Sequence, residues 1–448
     1  MGGRAFGLLV VASLWLLALR SVALAGGYAP VNEPGPALSP APALLRASLY
    51  CQPSVKDAKV EPVLLNPGTS TTPSENFGWN WEPALDKLGI PWCAYTAPNQ
   101  ALNRIDVSGE YLVYAIRTMY ALAGRKIAII GHSQGGMSMR WALRFWPDTR
   151  AMVEDVVGLE PSNHGTTVLS DSDCTAVGCP PADWQQVYES PFIQALNSDA
   201  ETFAGISYTN TYSVDDELVH PDSGPSDCSS CLSTGTGQIS NVELQSICPL
   251  DTSEHVEGGT TDPVAYALGI DAITHPGPAD PSRIPKSVCT ELFMPGVTSA
   301  QSAQAGLAAL QGGLGSLGIV PGPVSDPFSG APVLYSQPPL PCYVFADCPP
   351  QMPLKVTVQP DRAVLHRHLS LRFLVTSTVS GVTLPVPEAK VWVGNGRELT
   401  TDAAGRTTVA LAFGKAGGRR VIATDPEYFD GHATVTVRPI RRSLSVSR

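Results

Sequence analysis

Charge is scarce in this 448-residue chain: Asp, Glu, Lys and Arg make up 15% of it, well below the usual quarter. Asn-x-Ser/Thr acceptors with a permitted middle residue are absent, so N-glycosylation is not expected. Beyond the first two dozen residues no apolar stretch is long enough to cross a bilayer, which excludes a stable membrane span there. Around Cys228-x-x-Cys231 neither a second Cys-x-x-Cys pair nor a close histidine completes a zinc site, and no metal is expected. Basic residues are also in deficit, giving a net charge of -11. The deficit is uneven: residues 353–448 hold 14 Lys and Arg against 7 Asp and Glu, and the remainder is at -18. An acidic main body repels polyphosphates, so nucleic acid is excluded as a partner. The basic end has either an anionic surface or its acidic neighbour to touch.

What is present is ample apolar content, 43%, with 41 glycines and 41 prolines. That mixture implies compact cores linked by long ordered loops, and the length implies two or three units. The first residues read as a secretory signal. Arg4 supplies a positive end, Phe6 to Leu19 is almost wholly apolar, and Ala23-Leu24-Ala25 forms a small-x-small cleavage site before Gly26. A secreted location follows. Ten cysteines, an even number in an exported chain, then imply disulfides.

Four segments are expected: a signal peptide at 1–25, a flexible Pro-, Ala- and Gly-rich terminus at 26–46, a main domain at 47–348 and a smaller one at 349–448. In the main domain, strands are expected near Val60–Leu65, Trp92–Tyr95, Lys126–Gly131, Val153–Leu159 and Ile206–Ser213. Helices are expected over Ala84–Leu88, Asp106–Ala123 and Met137–Phe145. Their alternation argues for a mostly parallel sheet covered on both faces. From residue 353 the period changes to two. VTVQP, LSLRFLVTS, AKVWVG, TTVALAF, RRVIATD and HATVTVRP, separated by Gly and Asp turns, predict a small immunoglobulin-like β-sandwich of about seven strands. It shows no aromatic strip of the kind that binds glycans.

The stretch IAIIGHSQGGM, residues 127–137, places Ser133 in a G-x-S-x-G turn between a strand and a helix. That context is a nucleophile elbow: the small flanking residues permit a sharp turn that thrusts the hydroxyl above the sheet edge. The helix that follows turns its free N–H groups toward any developing oxyanion. A serine nucleophile needs a base and an orienting acid, in the chain order Ser, Asp or Glu, His. Base candidates are His164, His220, His255 and His275, and acid candidates Asp215, Asp216, Glu217 and Asp222; spacing alone leaves several combinations open. One oxyanion donor is expected from Gln134, and the other from the loop LLNPGTSTT, with Gly68, Thr69 and Ser70.

Several long segments in one order resemble the Candida antarctica lipase B family of serine lipases: LLNPGTSTT, NWEPALDKLGIPWCAYTAPNQALNRIDVSGEYLVYAI, GHSQGGMSMRWALRFWP, EPSNHGTT, TNTYSVDDELVHP and ICPLDTSEHVEG. The resemblance covers roughly residues 45–345. It implies an α/β-hydrolase domain with Ser133 as nucleophile, Asp216 as acid, His255 as base, and Thr69 and Gln134 as oxyanion donors. It also implies disulfides Cys51–Cys93 and Cys248–Cys289. Cys174–Cys179 and Cys228–Cys231 look like additional short-loop pairs, and Cys342 either pairs with Cys348 or differs locally from the family.

The activity implied is hydrolysis of carboxylic esters of medium or long acyl chains, including triacylglycerols, by a secreted enzyme expected to be a monomer and to need no cofactor. The partner is then a lipid or ester substrate, met where appropriate at an interface. The alternative is an esterase or acyltransferase acting on polyesters or cell-envelope esters, with the β-domain as targeting module. Trp184, Val187, Phe192, Ile193 and Leu196 either line an acyl channel or pack ordinary helices. Three departures from the family are visible: Ser70 stands for a second glycine of the oxyanion loop, Ser162 for a pocket acid, and Cys174 and Cys179 clamp the segment where the family has its short lid. The β-domain lies outside the family pattern.

Overall fold

The computed structural model describes residues 27–303, 330–348, 352–379, 382–394, 398–425 and 428–439. The expected signal segment lies outside these, as do parts of the Pro-rich stretch between the two expected domains.

The main sheet grows from short strands made of β-branched and apolar residues. Its members are β1 (Leu49–Cys51), β2 (Val63–Asn66), β3 (Trp92–Tyr95), β4 (Ile127–His132), β5 (Val153–Leu159) and β6 (Ser207–Tyr212). A small hairpin follows, β7 (Asp222–Gly224) with β8 (Asp227–Cys228), and β9 (Gln238–Glu243) completes the sheet. Strand order is β1-β3-β2-β4-β5-β6-β9, with β1 antiparallel to β3 and every other pairing parallel. Strands β2, β3, β4 and β6 are buried at every residue, as a sheet covered on both faces requires.

The covering helices are α1 (Pro42–Ala47), α2 (Pro73–Asn76), α3 (Trp81–Leu88), α4 (Ile105–Ala123), α5 (Gln134–Phe145), α6 (Asp171–Val177), α7 (Pro181–Gln186), α8 (Pro191–Leu196), α9 (Leu244–Ile247), α10 (His255–Thr260) and α11 (Pro263–Thr274). Helices α3 and α4 end on Gly89 and Gly124 in the left-handed conformation, which frees the last turn to close on its own carbonyls. One core, with Leu112, Ile116, Met119, Trp141 and Phe192, fills one face of the sheet. A second, with Trp81, Leu85, Leu244 and Leu268, fills the other. No helix among the described residues is long and apolar enough to cross a membrane.

The stretch expected to be a flexible terminus is instead packed down. Arg144 donates to Ala29 O, Trp146 to Pro36 O and Arg150 to Val31 O, while Tyr28 pairs with Phe345. Buried arginine and indole donors need acceptors, and this segment's carbonyls supply them. Composition alone did not reveal it. All five disulfides considered above are formed: Cys51–Cys93, Cys174–Cys179, Cys228–Cys231, Cys248–Cys289 and Cys342–Cys348.

The C-terminal region is all β: β10 (Met352–Gln359), β11 (Arg362–Val364), β12 (Leu369–Val379), β13 (Val382–Pro385), β14 (Lys390–Val393), β15 (Leu399–Thr400), β16 (Arg406–Leu411), β17 (Gly417–Asp425) and β18 (Tyr428–Arg438). Among the described residues there are nine strands where about seven were expected, because the short β11 and β15 carry too few residues to show alternation. β10 pairs with both β12 and β18, joining the two sheets around a core that includes Leu371, Phe373, Val391 and Val435. Thr424 Oγ1 donates to Ser39 O, 3.3 Å, tying this region to the N-terminal segment.

Candidate active site

At the end of β4 the chain turns through Ser133 with φ +55° and ψ -126°, and α5 begins at the next residue. A non-glycine residue held at positive φ is strained, and the surroundings hold it there. Ser133 N–H donates to Leu159 O at 2.9 Å, pinning the elbow to β5. Asn66 Nδ2 donates to Gly135 O at 2.6 Å, pinning it to β2. A Cβ on Gly135 would sit 2.1 Å from Asn66 O, so only glycine lets these segments approach. Ser133 is buried to 8% exposure.

The loop after β2 lies against the nucleophile: a Cβ on Gly68 would be 3.2 Å from Ser133 Cβ. Asn76 Oδ1 accepts Gly68 N–H at 2.8 Å and Thr71 Oγ1 donates to Gly68 O at 2.8 Å, which fixes the loop's shape. Ser70, where the family has glycine, takes φ +62°. Thr69 Oγ1 accepts two amide N–H groups, from Gln134 Nε2 at 3.0 Å and Gln186 Nε2 at 3.1 Å. Both of its lone pairs are thereby occupied, and its own O–H is left to donate. Gln186 in turn accepts from Ser162 Oγ at 3.0 Å. Sequence reasoning missed Gln186. It lies in the segment DWQQ, but no spacing rule says which glutamine turns toward Thr69. Gln134, first residue of α5, has a backbone N–H with no intrahelical partner by geometry.

The open choice of acid and base closes on one pair. His255 Nδ1 lies 2.7 Å from Asp216 Oδ2, both side chains being buried. Asp216 Oδ1 also accepts the N–H groups of Leu218 and Val219, at 2.8 and 2.7 Å. Burial would raise the Asp216 pKa, but the His255 charge and these hydrogen bonds bring it below its ordinary value. Burial would lower that of His255, but Asp216, with Glu217 and Glu254 behind it, raises it. The carboxylate fixes the Nδ1–H tautomer and leaves Nε2 as the free base nitrogen.

The other candidates stand elsewhere. Asp215 is exposed, and Glu217 accepts the His255 backbone N–H at 3.1 Å. Asp222 accepts from Ser230 N–H and Oγ. His164 pairs with Glu201 at 2.7 Å, and His275 with Asp271 at 3.2 Å. His220 N–H donates to Thr166 Oγ1 at 3.3 Å. His132, inside the elbow motif, spans Asn76 Oδ1 and His255 O, each at 3.2 Å. Burial, then the His255 charge, lowers its pKa to about 3, so it stays neutral, and its single N–H donates to one of these two oxygens.

Phe192, Ile193 and Leu196 belong to the main core, Phe192 stacking on Trp141 with centroids 4.3 Å apart. Trp184 packs on Cys174, Cys179 and Leu334. For these four, helix packing replaces the acyl-channel reading: their rings and branches are spent on neighbours. Among the described residues no group of three His, Cys, Asp or Glu side chains is arranged to hold a metal.

Lipase B of Pseudozyma antarctica is 35% identical over 242 residues, 53% of this chain and 69% of that protein. The chain belongs to the lipase B family. The family described as Lipase (class 2) matches residues 100–257, from the start of α4's approach into α10. The crystal structure of Aspergillus fumigatus lipase B superposes with a TM-score of 0.60 at 29% identity, covering 70% of this chain and 75% of that one. Mature Bacillus licheniformis lipase BlEst2 aligns at 17% identity and a TM-score of 0.31, over 36% of this chain and 70% of its own, too little to argue from. The lipase B resemblance read from the sequence is thus borne out, with the α/β-hydrolase fold and the ester-hydrolase class. As a lipase B relative the chain is an ester hydrolase.

Proposed function

We propose that the protein is a secreted serine lipase or carboxylesterase that works through an acyl-enzyme on Ser133. The 2.7 Å contact between His255 Nδ1 and Asp216 Oδ2 carries the reading, with the His255 ring 5.1 Å, centroid to centroid, from that of His132 in the elbow. His255 Nε2 takes the proton from Ser133 as its hydroxyl attacks an ester carbonyl. Asp216 holds the tautomer and stabilises the imidazolium. Thr69, through N–H and O–H, and Gln134, through N–H, receive the oxyanion; such a donor contributes about 2.7–4 kcal/mol. His255 then protonates the leaving alcohol, and water repeats the steps on the acyl-enzyme.

The substrates proposed are carboxylic esters of medium to long acyl chains, triacylglycerols among them. The lipase B kinship supports this. Export is supported by ten cysteines all paired among the described residues. The hydrolase domain is taken to span 47–348 and the β-domain 349–448, the packed 27–46 segment being functionally part of the former. Activity on p-nitrophenyl esters of increasing chain length tests the substrate class: turnover is expected to persist beyond eight carbons on the order of that for butyrate, and a collapse above four would reject a lipase.

A further inference from the structure

Glu160 directly follows β5, the strand that pins the elbow, and the reaction above makes no use of it. Its side chain is fully buried and its backbone is held at φ +47°. Oε2 accepts the N–H of Ser213 at 2.9 Å, where the loop carrying Asp216 begins. Its own backbone N–H donates to Thr211 O at 3.1 Å. Oε1 has no hydrogen-bond partner and lies against Gly258, where a Cβ would sit only 2.3 Å away. Gly258 belongs to α10, whose first residue is His255. The preceding residue, Leu159, accepts the Ser133 N–H. One carboxyl therefore touches the acid loop and the base helix, one residue from the anchor of the elbow.

The charged groups facing it are Asp216 and Asp222 from the chain after β6 and Asp262 from the turn between α10 and α11, all acids. Asp216 accepts three N–H groups, Glu160 one. Of two neighbouring buried carboxyls, the one with more donors takes the negative charge and the other keeps its proton. Burial, then the Asp216 charge, accordingly push the Glu160 pKa well above the carboxylate range.

We propose that Glu160, kept as the neutral acid, is the positioning residue that sets Asp216 and His255 against Ser133. The proposal rests on the triad reading given above and deepens it. An ionised Glu160 would put a second, unpaired charge beside Asp216 and loosen the loop at Ser213.

The test compares Glu160→Ala and Glu160→Gln with wild type in kcat, KM and pH profile on p-nitrophenyl butyrate, beside Ser133→Ala. Glu160→Ala is expected to lower kcat roughly 10- to 100-fold with KM little changed, as misplacement of reacting groups does. Glu160→Gln, of the same shape and unable to ionise, is expected to recover most of that loss and to lack the wild type's alkaline decline in kcat. Infrared difference spectra of wild type minus Glu160→Gln should show the carbonyl band of a buried neutral acid. This readout and the Gln pH profile stand even where the Ala variant fails to fold. Glu160→Gln falling as far as Glu160→Ala, an alkaline decline persisting unchanged in Glu160→Gln, wild-type kcat in Glu160→Ala, or absence of the band would each overturn the proposal. Full turnover by Ser133→Ala would instead overturn the triad reading, which the Glu160 variants do not touch.

Discussion

Asp216 Oδ2 stands 2.7 Å from His255 Nδ1, while Asp215, its neighbour in the same VDDE run, is exposed to solvent. Asp216→Asn is therefore expected to lower kcat/KM by about 10⁴, as loss of the orienting carboxylate does in this chemistry. Asp215→Asn should stay within about threefold of wild type. The base must be neutral to act, so kcat/KM rises as pH climbs through the His255 pKa. Because Asp216 raises that pKa, the Asn variant's rising limb should move to lower pH. Steady-state pH profiles check both.

Thr69 accepts from Gln134 and Gln186, and its hydroxyl proton is left for the oxyanion. Thr69→Val keeps the backbone N–H and loses that donor; kcat should fall about 10²- to 10³-fold with KM changed little. Gln186→Ala frees one lone pair and lets the hydroxyl turn away, so a smaller fall in kcat is expected from the same assay.

Glu201 is a buried anion that accepts Ser233 and Thr234 N–H at 2.7 Å each and pairs with His164. Burial would raise its pKa, but the His164 hydrogen bond, Arg140 and the Ser233 N–H hold it well below the usual range. The stability it contributes is fully present above the unfolded carboxylate pKa and is lost as pH falls through the folded one. Glu201→Gln should cost about 3–5 kcal/mol at pH 7, leaving Arg140 buried without its countercharge. The gap to wild type should narrow on acidification below about pH 4, as read by urea unfolding.

Glu61 and Asp155 have the opposite sign. Burial, then each other's proximity and Glu154, push Glu61 up to about 9; Asp155 rises to about 7, by burial first and then Glu154. The native state keeps a proton that the unfolded chain gives up near pH 4–5, so stability declines as pH rises from there toward the folded value of Glu61. Glu61→Gln removes that ionisation, and its Tm relative to wild type should be higher at pH 9 than at pH 5.

Much of this was legible in the sequence because it is local. Strand β4, the Gly-flanked Ser133 and helix α5 read directly from apolar runs and small residues. The pairing of Asp216 with His255 did not follow from spacing, since several pairs among the candidate acids and histidines satisfied the required order. Family resemblance selected that pair, and the three-donor environment at Asp216 gives the physical reason. What stayed hidden depends on long-range packing. Gln186 reaches Thr69 across 117 positions. Glu160 acquires meaning only from Ser213 and Gly258 beside it. The N-terminal segment looked flexible by composition because its partners, Arg144, Trp146 and Arg150, lie more than a hundred residues away.

The most direct measurement is turnover of an ester panel by Ser133→Ala beside wild type, with mass spectrometry of the intact protein after reaction with a phosphonate ester. The account predicts a fall in kcat of about 10⁶, with the triad acting as a unit, and covalent labelling of the wild type at Ser133 alone. Undiminished ester hydrolysis by the variant, or a phosphonate adduct at another residue, would contradict it.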